Sequence, residues 1–172
     1  MNDRVECRAP VLVLGLGNLL LRDDAVGLRL LGELRRACAH DPRIEFVDGG
    51  TLGLALSALL AGRSALLVLD AMQRGASAGT VHGLDDVMRQ QPRGNAGGRG
   101  GAHQLNAGDL LLTASLLGDV PRRTVVVGIE PAVVRTGIGL SPEVLAAVPE
   151  ATAVARIALG ELLAAEVSTC TN

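Results

Sequence analysis

The alternation of short apolar runs with helical segments is the feature that most constrains the fold of this chain. Four segments of strand length lie at residues 11–14, 44–47, 65–69 and 124–129: the first, third and fourth are apolar runs, and residues 44–47 alternate in polarity as a strand does. A helical pattern at residues 25–39 separates the first two, because apolar residues recur there at helical spacing with charges between them. Strands that alternate with helices indicate the α/β class, with a mostly parallel sheet sandwiched between helices on both faces.

The other segments complete this pattern. Ser141 and Pro142 open a last helix, with the serine as its cap and the proline at the first helical position. The remaining predictions are helices at residues 52–60 and 106–117, a weaker strand at residues 80–84 and a turn or hairpin at residues 131–139. A glycine-rich loop at residues 92–102 is expected to be mobile, because such a composition cannot pack.

The length and composition predict one domain over residues 1–172, with flexible ends at residues 1–9 and 167–172. The chain has 172 residues, enough for one core, and no repeat or linker divides it. The N-terminal stretch lacks the apolar core of a signal peptide, and no apolar run reaches the length of a membrane span. We therefore expect a cytoplasmic protein without a membrane partner, and a monomer because no long apolar helix face is left over.

Two compositional features narrow the class of partner and the redox setting. Aromatic residues are 1% of the chain and the net charge is -2, so base stacking and phosphate binding both lack support. We expect no nucleic-acid partner. The three cysteines are odd in number and show no metal-ligand spacing, which favours a reducing compartment over a disulfide framework.

Asp23 and Asp24 follow the first strand, where a helix is predicted to begin. Gly15 and Gly17 precede them, but a dinucleotide-binding fingerprint would need a third glycine where Leu20 stands. Two carboxylates would also repel a pyrophosphate at a helix N-terminus. They suit a cation instead, although each taken alone could be a helix cap or a first-turn charge.

Asp70 and His103 are the other candidates for a site at the carboxyl edge of the sheet. Asp70 ends a fully apolar strand, where a carboxylate is costly unless it is paired, hydrogen-bonded or bound to a metal. His103 follows the glycine-rich loop. With Asp24, these residues make a plausible set for a borderline divalent ion. A turn cap at Asp70 and a structural role for His103 remain open alternatives.

Six segments in order resemble the sequence motifs of the [NiFe]-hydrogenase maturation endopeptidases. They are GLGNLLLRDDAVG at 15–27, DGGT at 48–51, LDA at 69–71, HQL at 103–105, VGIEP at 127–131 and GLSP at 139–142. Each is weak alone, but the ordered set covers most of the chain. The resemblance implies a sheet between helices and a proteolytic role.

The resemblance also implies a substrate and a site. Members of this family remove a C-terminal extension from the hydrogenase large-subunit precursor after nickel has been inserted. Their metal-contacting positions correspond to Asp24, Asp70 and His103 here. The expected metal is the substrate's own nickel, with other divalent metals able to occupy the same ligands. Two other functions stay open: a non-enzymatic metal-binding assembly factor for the same precursor, and a nucleotide-binding oxidoreductase.

Overall fold

A five-stranded sheet forms the centre of the molecule, and its strands lie where the sequence pattern predicted them. The structure is a computed structural model, and it describes residues 9–38, 40–51, 56–85, 110–111, 115–116 and 120–169. The strands are β1 (Val11–Leu16), β2 (Ile44–Gly50), β3 (Ala65–Ala71), β4 (Val81–Asp85) and β5 (Arg123–Ile129). The central strands β1, β3 and β5 are almost wholly buried, as strands covered by helices on both faces require, whereas the edge strands β2 and β4 are partly exposed.

The strand order is β2-β1-β3-β5-β4. Neighbouring strands among β2, β1, β3 and β5 are parallel, whereas β4 runs antiparallel to β5 at the edge. The expected mostly parallel sheet is therefore confirmed, and the weaker strand predicted at residues 80–84 is its antiparallel edge. The four parallel strands direct their carboxyl ends to the same edge, and such an edge is where α/β proteins bind ligands.

Two helices cover one face of the sheet. Helix α1 (Val26–Cys38) follows a short 3-10 helix, η1 (Arg22–Ala25), and helix α3 (Pro142–Thr169) ends the described chain. Alternate strand residues such as Val13, Leu67 and Val127 point into this layer and are fully buried there with side chains of both helices. The alternation follows from the period of two along a strand.

The other face is covered by helix α2 (Ser57–Leu60) and by residues 110–111, which are also helical. Leu12, Leu14 and Leu66 pack there against Leu60 and Leu110, all of them buried. The prediction of helices on both faces is thus confirmed, and the chain forms a single α/β domain. Residues 52–55 and the glycine-rich loop at 92–102 lie outside the described residues, as does most of the predicted helix at 106–117.

The last helix begins as predicted. The Ser141 hydroxyl oxygen accepts a hydrogen bond from the Val144 amide at 3.4 Å, and Pro142 is the first helical residue. Helix α3 runs to Thr169, and the expected flexibility of residues 167–172 stays a prediction. Residues 131–139 bend without pairing as a hairpin, and Gly137 forms an isolated bridge with Leu21. No helix within the described ranges has the length and apolar character that crossing a membrane requires.

Candidate active site

The carboxyl end of β3 places Asp70 at the predicted edge. Asp70 pairs with Gly128 of β5, and the preceding residue, Leu69, pairs with Gly15 of β1. The Asp70 side chain is buried, with only 6% of the residue exposed, and its Oδ1 accepts a hydrogen bond from the Ala71 amide at 2.8 Å. The strand therefore delivers a buried carboxylate to the edge where the neighbouring parallel strand β1 also ends.

Two close backbone approaches bring the segment after β1 back onto the same edge. A Cβ atom on Gly17, whose φ is 131°, would lie 1.9 Å from the Asp24 carbonyl oxygen. A Cβ atom on Gly27 would lie 2.3 Å from the carbonyl oxygens of both Leu16 and Leu69. Only glycine tolerates these contacts. The start of α1 thus rests on the ends of β1 and β3, which fixes the position of η1 just before it.

Asp24 lies on η1, and η1 contacts β3, the strand that carries Asp70. Asp24 is partly buried, and its Oδ2 accepts a hydrogen bond from the Asn18 amide at 2.7 Å. Burial raises the pKa of Asp24 above its ordinary value, and the hydrogen bond from Asn18 only partly opposes this. Burial removes part of the water that would stabilise the charged Asp24 carboxylate. A bound cation compensates for that loss when the carboxylate is ionised.

Asp23 does not share this site, so the cation pair expected from Asp23 and Asp24 is wrong. The Asp23 carboxylate is fully buried and turned toward residues 131–141. It accepts hydrogen bonds from the amides of Ala132 and Val133, each at 2.9 Å, and from the amide and hydroxyl of Ser141 at 2.6 and 2.9 Å. Burial disfavours the charge, but these hydrogen bonds together lower the pKa of Asp23. Asp23 is a structural anchor.

Glu130 is a second anchor that the sequence pattern did not single out. Its buried carboxylate accepts hydrogen bonds from the Arg74 amide at 2.9 and 3.0 Å and from the Gly75 amide at 2.9 Å. His82 Nε2 lies 3.0 Å from Glu130 Oε2. Despite the opposing effect of burial, these hydrogen bonds lower the pKa of Glu130. This anchor fixes the loop that follows Asp70, and the glutamate of the VGIEP motif was its one sequence signal.

The three histidines differ in what the structure shows of them. His103 lies outside the described residues, so its place near Asp24 and Asp70 stays a prediction. Of the other two histidines, His40 is exposed and His82 faces Glu130. Within the described ranges, no three histidine, cysteine, aspartate or glutamate residues lie close enough together to hold a metal ion. The described part of the site therefore consists of two carboxylates, whose oxygen atoms suit a divalent ion.

Comparison with known proteins gives a consistent result. The HycI hydrogenase maturation protease family model matches residues 28–157. Hydrogenase 2 maturation protease of Escherichia coli strain K12 is 33% identical over 142 residues, 82% of this chain and 85% of the relative. The hydrogenase expression/formation protein HupD of Rhodobacter capsulatus is 35% identical over 123 residues, 70% of this chain but only 57% of the relative.

A solved structure supports the same class. The hydrogenase maturating endopeptidase HybD from Escherichia coli superposes with a TM-score of 0.70 at 31% identity, over 88% of this chain and 92% of that one. The fold is thus that of an α/β endopeptidase. The chain belongs to the hydrogenase maturation protease family. This membership favours a hydrolase over the nucleotide-binding oxidoreductase considered above.

Proposed function

We propose that this protein removes a C-terminal extension from the nickel-loaded large-subunit precursor of a [NiFe] hydrogenase. In this proposal Asp24, Asp70 and His103 bind the nickel that the precursor carries. Family membership supports the proteolytic class, and the relatives' names connect it to hydrogenase maturation. The reaction is proposed to take place in the cytoplasm, with the enzyme acting as a monomer.

The observation that supports the proposal is the contact between η1, which bears Asp24, and β3, which bears Asp70. The 3-10 helix that bears Asp24 contacts the strand that bears Asp70, although 46 residues separate the two in sequence. Within the described part of the chain, only Asn18 donates a hydrogen bond to the Asp24 carboxylate. Two carboxylates and one imidazole form a donor set that suits nickel and other divalent ions of similar character.

In this proposal the nickel ion of the precursor binds to the enzyme's side chains and so holds the two proteins together. Precursor nickel that takes Asp24, Asp70 and His103 as ligands holds the adjoining peptide beside the sheet edge. Hydrolysis then adds one water across the scissile bond, leaving a carboxylate on the subunit and an amine on the extension. A precursor without nickel lacks this link, so the same residues distinguish loaded from unloaded precursor.

The test replaces each proposed ligand and measures the intact mass of a nickel-loaded precursor. Asp24→Ala, Asp70→Ala and His103→Ala should each abolish the mass loss while circular dichroism shows a folded protein. Asp41→Ala is the matched control, because Asp41 is an aspartate that pairs with Arg43 before β2, at the opposite edge of the sheet. Wild-type processing by two of the three variants would contradict the site. If the wild-type protein binds the precursor and the precursor's mass does not change, the protein is an assembly factor instead.

A further inference from the structure

Two loops beside the candidate site expose large apolar side chains to solvent. Leu19 and Leu20, after β1, are each 62% exposed, and Ile138, before α3, is 83% exposed. Arg22 follows Leu20 by two residues. We propose that Leu19, Leu20, Ile138 and Arg22 form a docking surface for the hydrogenase precursor, which presents apolar side chains and a carboxylate to it. This inference rests on the proposed function and adds the place where the substrate protein is held.

Backbone hydrogen bonds join the two loops into one surface. The Gly137 amide donates to the Leu20 carbonyl at 2.9 Å, and the Arg22 amide donates to the Gly137 carbonyl at 3.1 Å. Leu21 and Gly137 also form an isolated β-bridge. Ile138 is therefore held next to Leu20 and Arg22 in space, although more than a hundred residues separate them along the chain.

The surface is built on a rigid base. The Asp23 amide donates to the Val133 carbonyl at 3.3 Å, and the buried Asp23 carboxylate binds residues on both sides of Ile138. A surface fixed before binding loses little conformational entropy when a partner docks. A contiguous group of exposed apolar side chains is typical of an interaction site.

Arg22 supplies the charge that specifies the partner. Its φ is 54°, a left-handed conformation that is strained for a residue with a side chain. The side chain lies along Gly137, where an added Cβ would be 3.1 Å from Arg22 Cγ. Arg22 Nε is buried and has no hydrogen-bond partner in the described part of the protein. A guanidinium group beside exposed apolar side chains favours a partner that presents a carboxylate.

Continuity with the site identifies the occupant. Asn18, whose amide binds the Asp24 carboxylate, is adjacent in sequence to Leu19, and Arg22 precedes Asp24 by two residues. A protein segment lying on the docking surface thus continues directly to Asp24. The exposed Ile157 on α3 differs, because it stands about 24 Å along the helix from Ser141, at 1.5 Å per residue.

The experiment measures both binding and processing of the nickel-loaded precursor. The variants are Leu20→Ser, Ile138→Ser and Arg22→Gln, and Ile157→Ser is the control because Ile157 is 65% exposed, much like Leu20. Each docking variant should raise Kd and KM roughly tenfold, as expected for the loss of one buried apolar or charged contact. Its kcat should stay near that of the wild type, and its thermal unfolding midpoint should not change. Ile157→Ser should leave all four quantities unchanged.

The outcomes separate this inference from the proposed function. If all three docking variants process the precursor with the Kd and KM of the wild type, the docking surface is wrong. The protease proposal would be unaffected by that result. Weakened binding in the variants together with no cleavage by the wild type would support the surface and overturn the protease. Absence of both binding and cleavage by the wild type would overturn both. In Arg22→Gln, a weaker dependence of Kd on salt would further support the ionic contact.

Discussion

Asp23 and Asp24 are adjacent in sequence but lie in opposite environments. Asp23 is fully buried, accepts four hydrogen bonds and has a lowered pKa. Asp24 is only partly buried, and one hydrogen bond from Asn18 leaves its pKa raised. The first carboxylate is satisfied by the protein itself, whereas the second is incompletely compensated. The comparison shows that two adjacent acidic residues can have different roles. One can stabilise the fold through hydrogen bonds while the other is available to bind a ligand.

The largest expected effect concerns the anchored member of the pair. Asp23→Ala should lower the free energy of unfolding by about 4 kcal/mol, because it leaves buried amide and hydroxyl donors without an acceptor. Urea denaturation gives the value. Asp41→Ala is the control: Asp41 pairs with Arg43 at the surface, where solvent screens the ion pair, so its loss should cost far less than the loss of Asp23. Equal losses for the two variants would break the assignment of Asp23 as an anchor.

Glu130 extends the comparison to a second anchored carboxylate. Glu130→Gln should cost about 2 kcal/mol at neutral pH, because the amide keeps only one of the two acceptor oxygens that face Arg74, Gly75 and His82. The lowered pKa of Glu130 means that its stabilising effect is present above the ordinary value of 4.5 and is lost as pH falls through the native value.

The measurement for Glu130 is therefore a pair of stability profiles against pH. The difference between wild type and Glu130→Gln should shrink below about pH 4.5, because the unfolded state of the wild type takes up a proton there while the native carboxylate is still ionised. Glu150→Gln, an exposed substitution on α3, should follow the wild-type profile throughout. A gap between wild type and Glu130→Gln that stays constant with pH would contradict an ionised Glu130.

The smallest expected effect on stability concerns Asp24. Asp24→Asn should change the free energy of unfolding by no more than about 1 kcal/mol, because asparagine still offers an oxygen to the Asn18 amide and removes a partly buried charge. Urea denaturation beside Asp23→Ala tests this directly. A loss as large as that of Asp23→Ala would make both aspartates structural.

Much of the frame that carries the site could be predicted from the sequence. The apolar run at residues 65–69 is a buried strand, and Asp70 directly after it had to lie at the carboxyl edge. The same rule placed Asp24 there, because it follows β1 by a short loop. These inferences succeed because strand burial and parallel pairing depend on local patterns and on one general rule of topology.

The separate roles of Asp23 and Asp24 could not be predicted in this way. The hydrogen-bond partners of Asp23 are 109 to 118 residues away in sequence. The sequence predicts one of them, Ser141, only as the cap of the last helix. Nothing local indicates that Ser141 both caps α3 and donates its hydroxyl to Asp23. The left-handed backbone of Arg22 is likewise imposed by contacts with the distant Gly137. Tertiary contacts of this range decide such details.

The most direct test of the central claim is the intact mass of the hydrogenase precursor after incubation with the wild type and with Asp24→Asn. The precursor is supplied with nickel and without it. The account predicts that only the wild type with the nickel-loaded precursor produces a mass loss equal to the C-terminal extension. Cleavage of the nickel-loaded precursor by Asp24→Asn at the wild-type rate, or equal cleavage of the nickel-free precursor by the wild type, would contradict it.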